Sequence, residues 1–161
     1  MLLDLDIIKY KDQLQLKDLG HKRMIFCIIR KKWLVSTPEE LVRQLFLLFL
    51  ANEKGFSKTS INVEKALRVS NTNKRFDIVV YSKNGLPQIL IECKAPLIKL
   101  DQKVFDQASR YNIELKAPFL IITNGRQAYC AQINFDLKKF DFLEQLPSNT
   151  LVNFMIDHNS N

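Results

Sequence analysis

FDIVVYSKNGLPQILIECKAP, residues 76–96, holds two apolar, β-branched runs joined by a turn. Ile78, Val79 and Val80 in the first run, and Ile89, Leu90 and Ile91 in the second, favour a pleated, half-buried surface. Asn84-Gly85 between them is the strongest short hairpin signal, because both residues tolerate positive φ. The stretch therefore predicts two antiparallel strands, 76–82 and 88–95, with Pro96 closing the second because it cannot donate to a ladder. Glu92 and Lys94 interrupt the second run. Buried charge is costly unless it is paired, hydrogen-bonded or bound to metal, so these two residues need a reason.

Outward from the hairpin, INVEKALRV (residues 61–69) reads as a preceding strand, and SNTNK (70–74) as the turn that makes a three-strand meander. Upstream, TPEELVRQLFLLFLANEKG (37–55) is the clearest helix start in the chain. Thr37 is an N-cap, Pro38 suits the first helical position, Glu40 occupies the capping-box position and Gly55 ends the helix. Leu41, Val42, Leu45, Leu48 and Phe49 form an apolar stripe at helical spacing. RMIFCIIRKKWLV (23–35) reads as a strand, or a strand broken at the basic cluster Arg30-Lys31-Lys32. Residues up to Gly20 read as a short helix or arm.

Downstream, residues 101–116 predict a second helix, FLIIT (119–123) a continuous apolar strand, Asn124-Gly125 a turn, 129–135 a strand and 137–146 a short amphipathic segment. Residues 158–161, His158 to Asn161, read as a polar tail. Helix, meander, helix and two strands predict an α/β or α+β fold, a mixed central sheet flanked by helices. At 161 residues the chain fits one domain, 1–161, with its core at about 23–146.

Composition narrows the function classes. Lys and Arg number 24 against 17 acidic residues, a net charge of +7, which favours a polyanionic partner. The longest apolar run is too short to span a bilayer, and the N-terminus lacks a signal-peptide pattern, so no membrane association and a cytoplasmic location are expected. Three scattered cysteines (Cys27, Cys93, Cys130) and two histidines lack zinc-site spacing and read as reduced thiols.

Side chains on a strand alternate faces, so Glu92 and Lys94 share one, and Asp77 shares a face with Val79 and Tyr81 on the neighbouring strand. Asp77 reaches Glu92 if the hairpin register is right, which the sequence leaves open. Two converging carboxylates repel unless a cation neutralises them, and a magnesium-type ion with hard oxygen ligands is the usual solution. A lysine beside such an ion orients or deprotonates the attacking water. The combination reads as metal-assisted phosphodiester hydrolysis. Against it stands the plainer reading of an ion pair, Glu92 with Lys94, at the edge of a core.

FDIVVY followed by LIECKAP resembles the active-site hairpin of the PD-(D/E)XK nuclease superfamily, and more specifically the N-terminal nuclease domain of type I restriction enzyme R subunits. The resemblance extends over about residues 30–129 and includes RKKWLVSTPEELVRQ, DQASRYN and TNG. Phe76 stands where the motif's name has proline. The resemblance implies a restriction-endonuclease-like core and a DNA endonuclease using Mg²⁺, with Mn²⁺ able to substitute. It implies that Asp77 and Glu92 ligate the metal, that the Cys93 carbonyl adds a ligand, and that Lys94 serves the attacking water. Gln107 and Tyr111 match the family's QxxxY element; i and i+4 lie on one helical face, so both can point at the site.

Glu39 and Glu40 compete for a further acidic position. The helical wheel puts Glu40 opposite the apolar stripe and Glu39 at its edge, which favours Glu39. Arg43 and Gln44 brace the site or the phosphates, or form a solvated helix face. Glu64 nears the site if the meander is regular, and Asn124 and Gly125 read most simply as a turn. Arg30, Lys31, Lys32 and Arg43 are the expected DNA contacts, with Trp33 packing nearby.

No GxxxxGK[ST] phosphate loop is present, so the module is expected to stand without an ATPase motor. A separate helicase/translocase or specificity protein then supplies movement or sequence choice, and a homodimer is one route to cutting both strands. The alternative function is a non-catalytic nucleic-acid-binding or complex-assembly module with the same fold.

Overall fold

The hairpin of residues 76–96 forms the middle of a mixed sheet. The computed structural model describes residues 1–69 and 72–159. In chain order the elements are β1 (Leu3–Asp4), a 3-10 turn (Ile8–Gln13), β2 (Leu16–Leu19), β3 (Lys22–Cys27), β4 (Lys32–Val35) and α1 (Pro38–Asn52). A second 3-10 turn (Lys58–Ser60), β5 (Ile61–Val69), β6 (Thr72–Tyr81), β7 (Pro87–Cys93) and α2 (Gln102–Leu115) follow. The described chain closes with β8 (Phe119–Thr123), β9 (Gln127–Asn134), β10 (Lys139–Phe142) and α3 (Asn149–Asn159).

The strands order as β5-β6-β7-β8-β9, and β1 and β10 pair with opposite ends of β9's outer edge. Only β7 and β8 pair in parallel among the described strands, because α2 carries the chain back across the sheet between them. That central pair is apolar along its length: β8 is buried at every position, and β7 is buried from Gln88 to Ile91. Continuous burial is what a strand covered on both faces requires.

Each face has its own helix. Val42, Phe46, Phe49 and Leu50 of α1 pack over Ile78, Val80, Ile89 and Ile91. Phe105 and Ala108 of α2 cover Val79, Leu90, Leu120 and Ile122. The mixed α/β architecture with flanking helices is thus the one expected. α1 is more deeply enclosed than its stripe implies, since every residue from Val42 to Leu50 is buried.

Of the two readings of residues 23–35 the broken strand holds, and three other local expectations change. Residues 23–35 are broken at the basic cluster: β3 and β4 form a hairpin around residues 28–31, and β2 completes a three-stranded sheet. The segment before Gly20 is built into the fold through β1, the first 3-10 turn and β2 rather than standing as an arm. The amphipathic segment at 137–146 is an edge strand, β10, followed by loop. Beyond it lies a helix, α3, whose Val152 and Met155 join the α1-side core, and whose start hangs on Lys54 O through the Asn149 N–H at 2.9 Å. The turn expected at 70–74 begins on Ser70 and Asn71, which lie outside the described residues, as do Ser160 and Asn161 of the polar tail.

Among the described residues no helix is long and apolar enough to cross a membrane. All three cysteines are free and buried.

Candidate active site

The β6–β7 ladder pairs Val80 with Ile89, Val79 with Leu90 and Ile78 with Ile91, with a bulge between Val80 and Tyr81 next to the Asn84-Gly85 turn. Ile78 opposite Ile91 is its last described pair, so Asp77 and Glu92 occupy the next positions, where the strands part. There the Asp77 carboxylate replaces a ladder bond: Oδ2 accepts from the Cys93 N–H at 2.7 Å. A carboxylate that caps a backbone amide at a strand fork is fixed in orientation.

Strict alternation fails at Asp77. Phe76 packs in the α2-side cluster, whereas Ile78, two residues on, packs on the α1 side. Asp77 does not follow Val79 and Tyr81, which belong to the α2 side, because its carboxylate is bonded to Arg43 of α1. The neighbouring strand explains the break. Val63 pairs with Ile78 and Lys65 with Phe76, but Glu64 between them takes φ +48° and leaves the ladder. A non-glycine residue in the left-handed region stores strain, and such residues cluster at functional sites.

Arg43 is the hub of this region. Its Nη2 donates to Asp77 Oδ1 at 2.6 Å and lies 3.8 Å from Glu39 Oε1. Its Nη1 pairs with Glu40 Oε2 and lies 3.3 Å from Glu64 Oε1. Burial works against the guanidinium charge, but Asp77 and Glu40 outweigh it and hold Arg43 above its ordinary value. Only 6% of this side chain is exposed, so Arg43 is no surface phosphate contact: it braces carboxylates. Glu64 is also paired to Arg30, so a chain of ion pairs runs from the basic turn through Glu64 and Arg43 to Asp77.

Glu39 and Glu40 separate clearly. Thr37 caps α1 by accepting from the Glu40 N–H at 3.0 Å. The Glu40 side chain does not complete the capping box; its carboxylate is buried against Arg43 and accepts from Gln44 Nε2 at 2.8 Å. Glu39 is half-buried, and its carboxyl is pushed up by burial and by nearby Asp77, against the pull of Lys94. Glu39 therefore shares the field of Asp77 and Lys94, while Glu40 is a buttress for Arg43.

Glu92 and Lys94 form an ion pair at 2.8 Å between Oε1 and Nζ. Burial and Asp77 raise the Glu92 carboxyl above its usual value despite Lys94. Burial lowers Lys94, but the hydrogen bond and charge of Glu92 dominate and hold the ammonium above its ordinary value. Lys94 lies just past β7, with its N–H on Thr123 O at 2.8 Å.

The turn after β8 is part of this end of the sheet. Asn124 is buried; its Oδ1 accepts from the N–H groups of Arg126 and Gln127, and its Nδ2 donates to Ile98 O at 2.9 Å. It thereby ties the loop after Lys94 to the β8–β9 turn. Gly125 takes φ +86°, and a Cβ there would meet Val42 of α1 at 3.1 Å. The TNG residues are struts as well as a turn. The signal available in sequence was a short amide that can bond its own backbone in a turn with capacity to spare.

Gln107 and Tyr111 lie on α2 and face each other, Gln107 Nε2 donating to Tyr111 Oη at 3.4 Å. Lys31, at φ +52°, and Lys32 are exposed in the β3–β4 turn. Trp33 packs edge-on against Phe26 and carries the Lys17 ammonium 4.1 Å from its ring centre.

The donor set suits a hard divalent cation in its chemistry. The charge of Asp77 pushes up the carboxyls of Glu39 and Glu92, and Glu39 adds to the rise at Glu92, which is the repulsion an ion relieves. Among the described residues no trio of Asp, Glu, His or Cys closes on one point. Arg43 and Lys94 occupy carboxylate oxygens in that arrangement.

A family model described as the N terminus of the type I restriction enzyme R protein (HSDR_N) matches residues 38–147. Among solved structures, the chain is similar in fold to a fragment of an HsdR subunit of a type I restriction enzyme from Vibrio vulnificus YJ016. The TM-score is 0.57 at 16% identity, covering 75% of this chain and 25% of that one. This chain thus corresponds to about a quarter of that structure's length. No curated protein matches it.

Proposed function

The chain belongs to the family of type I restriction enzyme R protein N termini, and from that premise we propose that it is a metal-dependent DNA endonuclease of the PD-(D/E)XK type. The observation that carries this reading is the placement of Asp77, Glu92 and Lys94 at one strand fork, with Asp77 locked by Arg43 and the Cys93 amide. Charged groups at that place in an apolar sheet are costly unless paired or bound to an ion. They make sense as an apparatus for a phosphodiester.

Asp77 and Glu92 would hold Mg²⁺, with Glu39 within their field and the Cys93 carbonyl as a further oxygen, and the bound ion would supply Lewis-acid polarisation of the phosphate and offset its charge. Lys94 is held charged by Glu92, so its role here is to donate: it orients the attacking water and stabilises the negative charge that develops on the phosphoryl oxygens. Arg43 supplies no contact to DNA; its guanidinium holds the Asp77 carboxylate in place. Lys31 and Lys32, exposed beside the Arg30–Glu64 pair, meet the DNA backbone. In the context of a type I system the partners are DNA, a translocase and a specificity protein.

The test is cleavage of supercoiled plasmid with Mg²⁺ or Mn²⁺. Wild type nicks or linearises it, and Asp77→Ala and Lys94→Ala abolish this. Cleavage surviving both substitutions sinks the site assignment. DNA binding without cleavage under either metal points instead to an assembly module with this fold. Calorimetric titration with the metal, wild type against Glu92→Gln, separates loss of the ion from loss of chemistry.

A further inference from the structure

On the α2 face, two and three strands across from β7, a groove of about 690 Å³ runs between α2 and the β9–β10 hairpin. Phe105, Phe135 and Phe140 line it; the Phe105 and Phe140 rings meet at a tilt 5.0 Å apart, and both contact Phe142, at 5.1 and 5.3 Å. Phe140 remains 45% exposed after this packing. The rim carries Arg110, Lys116, Lys138 and Lys139 against Asp106 and Asp136. Asp106 is already bonded to Gln102 Nε2 at 2.7 Å. Among the described residues none of the four cations is in an ion pair. The Ser109 hydroxyl, which also lines the groove, is buried and has no hydrogen-bond partner.

One exposed ring, Phe140, beside a rim of cations outside any ion pair describes a definite ligand. Rings stack on bases whatever the sequence, and cations along the rim follow phosphates. Asp106 and Arg110 also line a second hollow along α2 with Lys103, Gln107 and Tyr111, so the cationic surface continues along the helix. We propose that this groove binds single-stranded nucleic acid, with Phe140 as the stacking platform and Lys138, Lys139, Lys116 and Arg110 as the phosphate contacts. The inference rests on the nuclease reading for its biological sense, since it names a strand-holding surface apart from the cutting centre, but its test does not need cleavage.

The measurement is fluorescence anisotropy of a labelled oligothymidylate titrated with the full chain in EDTA. Three variants are compared with wild type: Phe140→Ala, Lys138→Glu with Lys139→Glu, and Lys11→Ala, an exposed residue of the first 3-10 turn, as a control outside the groove. Loss of one stacked base weakens binding about fivefold or more. The double charge reversal weakens it further and lowers the slope of log affinity against log salt by about one to two. Lys11→Ala leaves binding intact. Circular dichroism melting shows that each variant is folded, and the lysine pair, which is exposed, keeps the test valid if Phe140→Ala loosens the core. Groove variants that bind the oligonucleotide within twofold of wild type overturn the proposal, as does wild type with no affinity for it. Groove-dependent binding by a chain that never cuts plasmid refutes the nuclease alone; cutting without groove dependence refutes only the groove.

Discussion

Replacing Arg43 by methionine tests whether the centre is held by one buried cation. Methionine keeps much of the stem's volume and removes the guanidinium, so the change is electrostatic more than steric. Breaking a buried ion pair costs about 3–5 kcal/mol, because the partner is left charged and uncompensated. Here the orphans keep other donors: Asp77 retains the Cys93 amide, Glu40 retains Gln44, and Glu64 retains Arg30. The lower end, about 3 kcal/mol, is therefore expected. For a chain of this length each kcal/mol moves the melting temperature by about 2–4 °C, giving a fall of about 6–12 °C. Arg43→Lys falls between, because one ammonium cannot replace a fork spread over Asp77 and Glu40. Thermal and urea denaturation measure these losses. A loss under about 1 kcal/mol, the value of an exposed pair, refutes the hub.

Two further substitutions probe neighbouring features. Glu92 has a raised carboxyl, so folding favours its protonated form and the charge costs stability as pH rises through that value. Glu92→Gln should match or exceed wild type in melting temperature at neutral pH, and the gain should vanish below about pH 4.3, where both carry a neutral side chain. A variant less stable at neutral pH than at acid pH, each relative to wild type, contradicts this. Gly125→Ala places a Cβ at 3.1 Å from Val42 with φ at +86°; a loss of at least about 1 kcal/mol in urea unfolding is expected, and an unchanged midpoint would show that α1 yields freely.

Long, locally coded features were legible in the sequence. The Asn84-Gly85 hairpin, the Thr37 cap and the apolar run of β8 each declare themselves within a few residues, and each is where the pattern placed it. Glu92 and Lys94 stood out as charges in an apolar run. What escaped depends on distant partners. β2, β3 and β4 are short strands whose pairing exists only in the assembled sheet. α3 carries a weak pattern and gains its place by burying Val152. The wheel put Glu40 toward solvent because it assumes one wet face, whereas α1 has core or ion pairs almost all round. The turn of Asp77 out of strict alternation follows from Glu64 on the adjacent strand, which no reading of β6 alone can reveal.

The three buried thiols have a practical consequence. Cys27 lies in the small sheet, Cys93 beneath the strand fork and Cys130 in β9, and none is exposed. Burial also pushes Cys93 up, and Cys130 up to about 12, which suppresses the reactive thiolate in the closed state. An alkylating reagent thus modifies each cysteine only when its own neighbourhood opens, and peptide mapping of the adducts would rank the small sheet, the fork and the far edge by how often they breathe. The chain carries, without any engineered label, a three-channel record of its local unfolding.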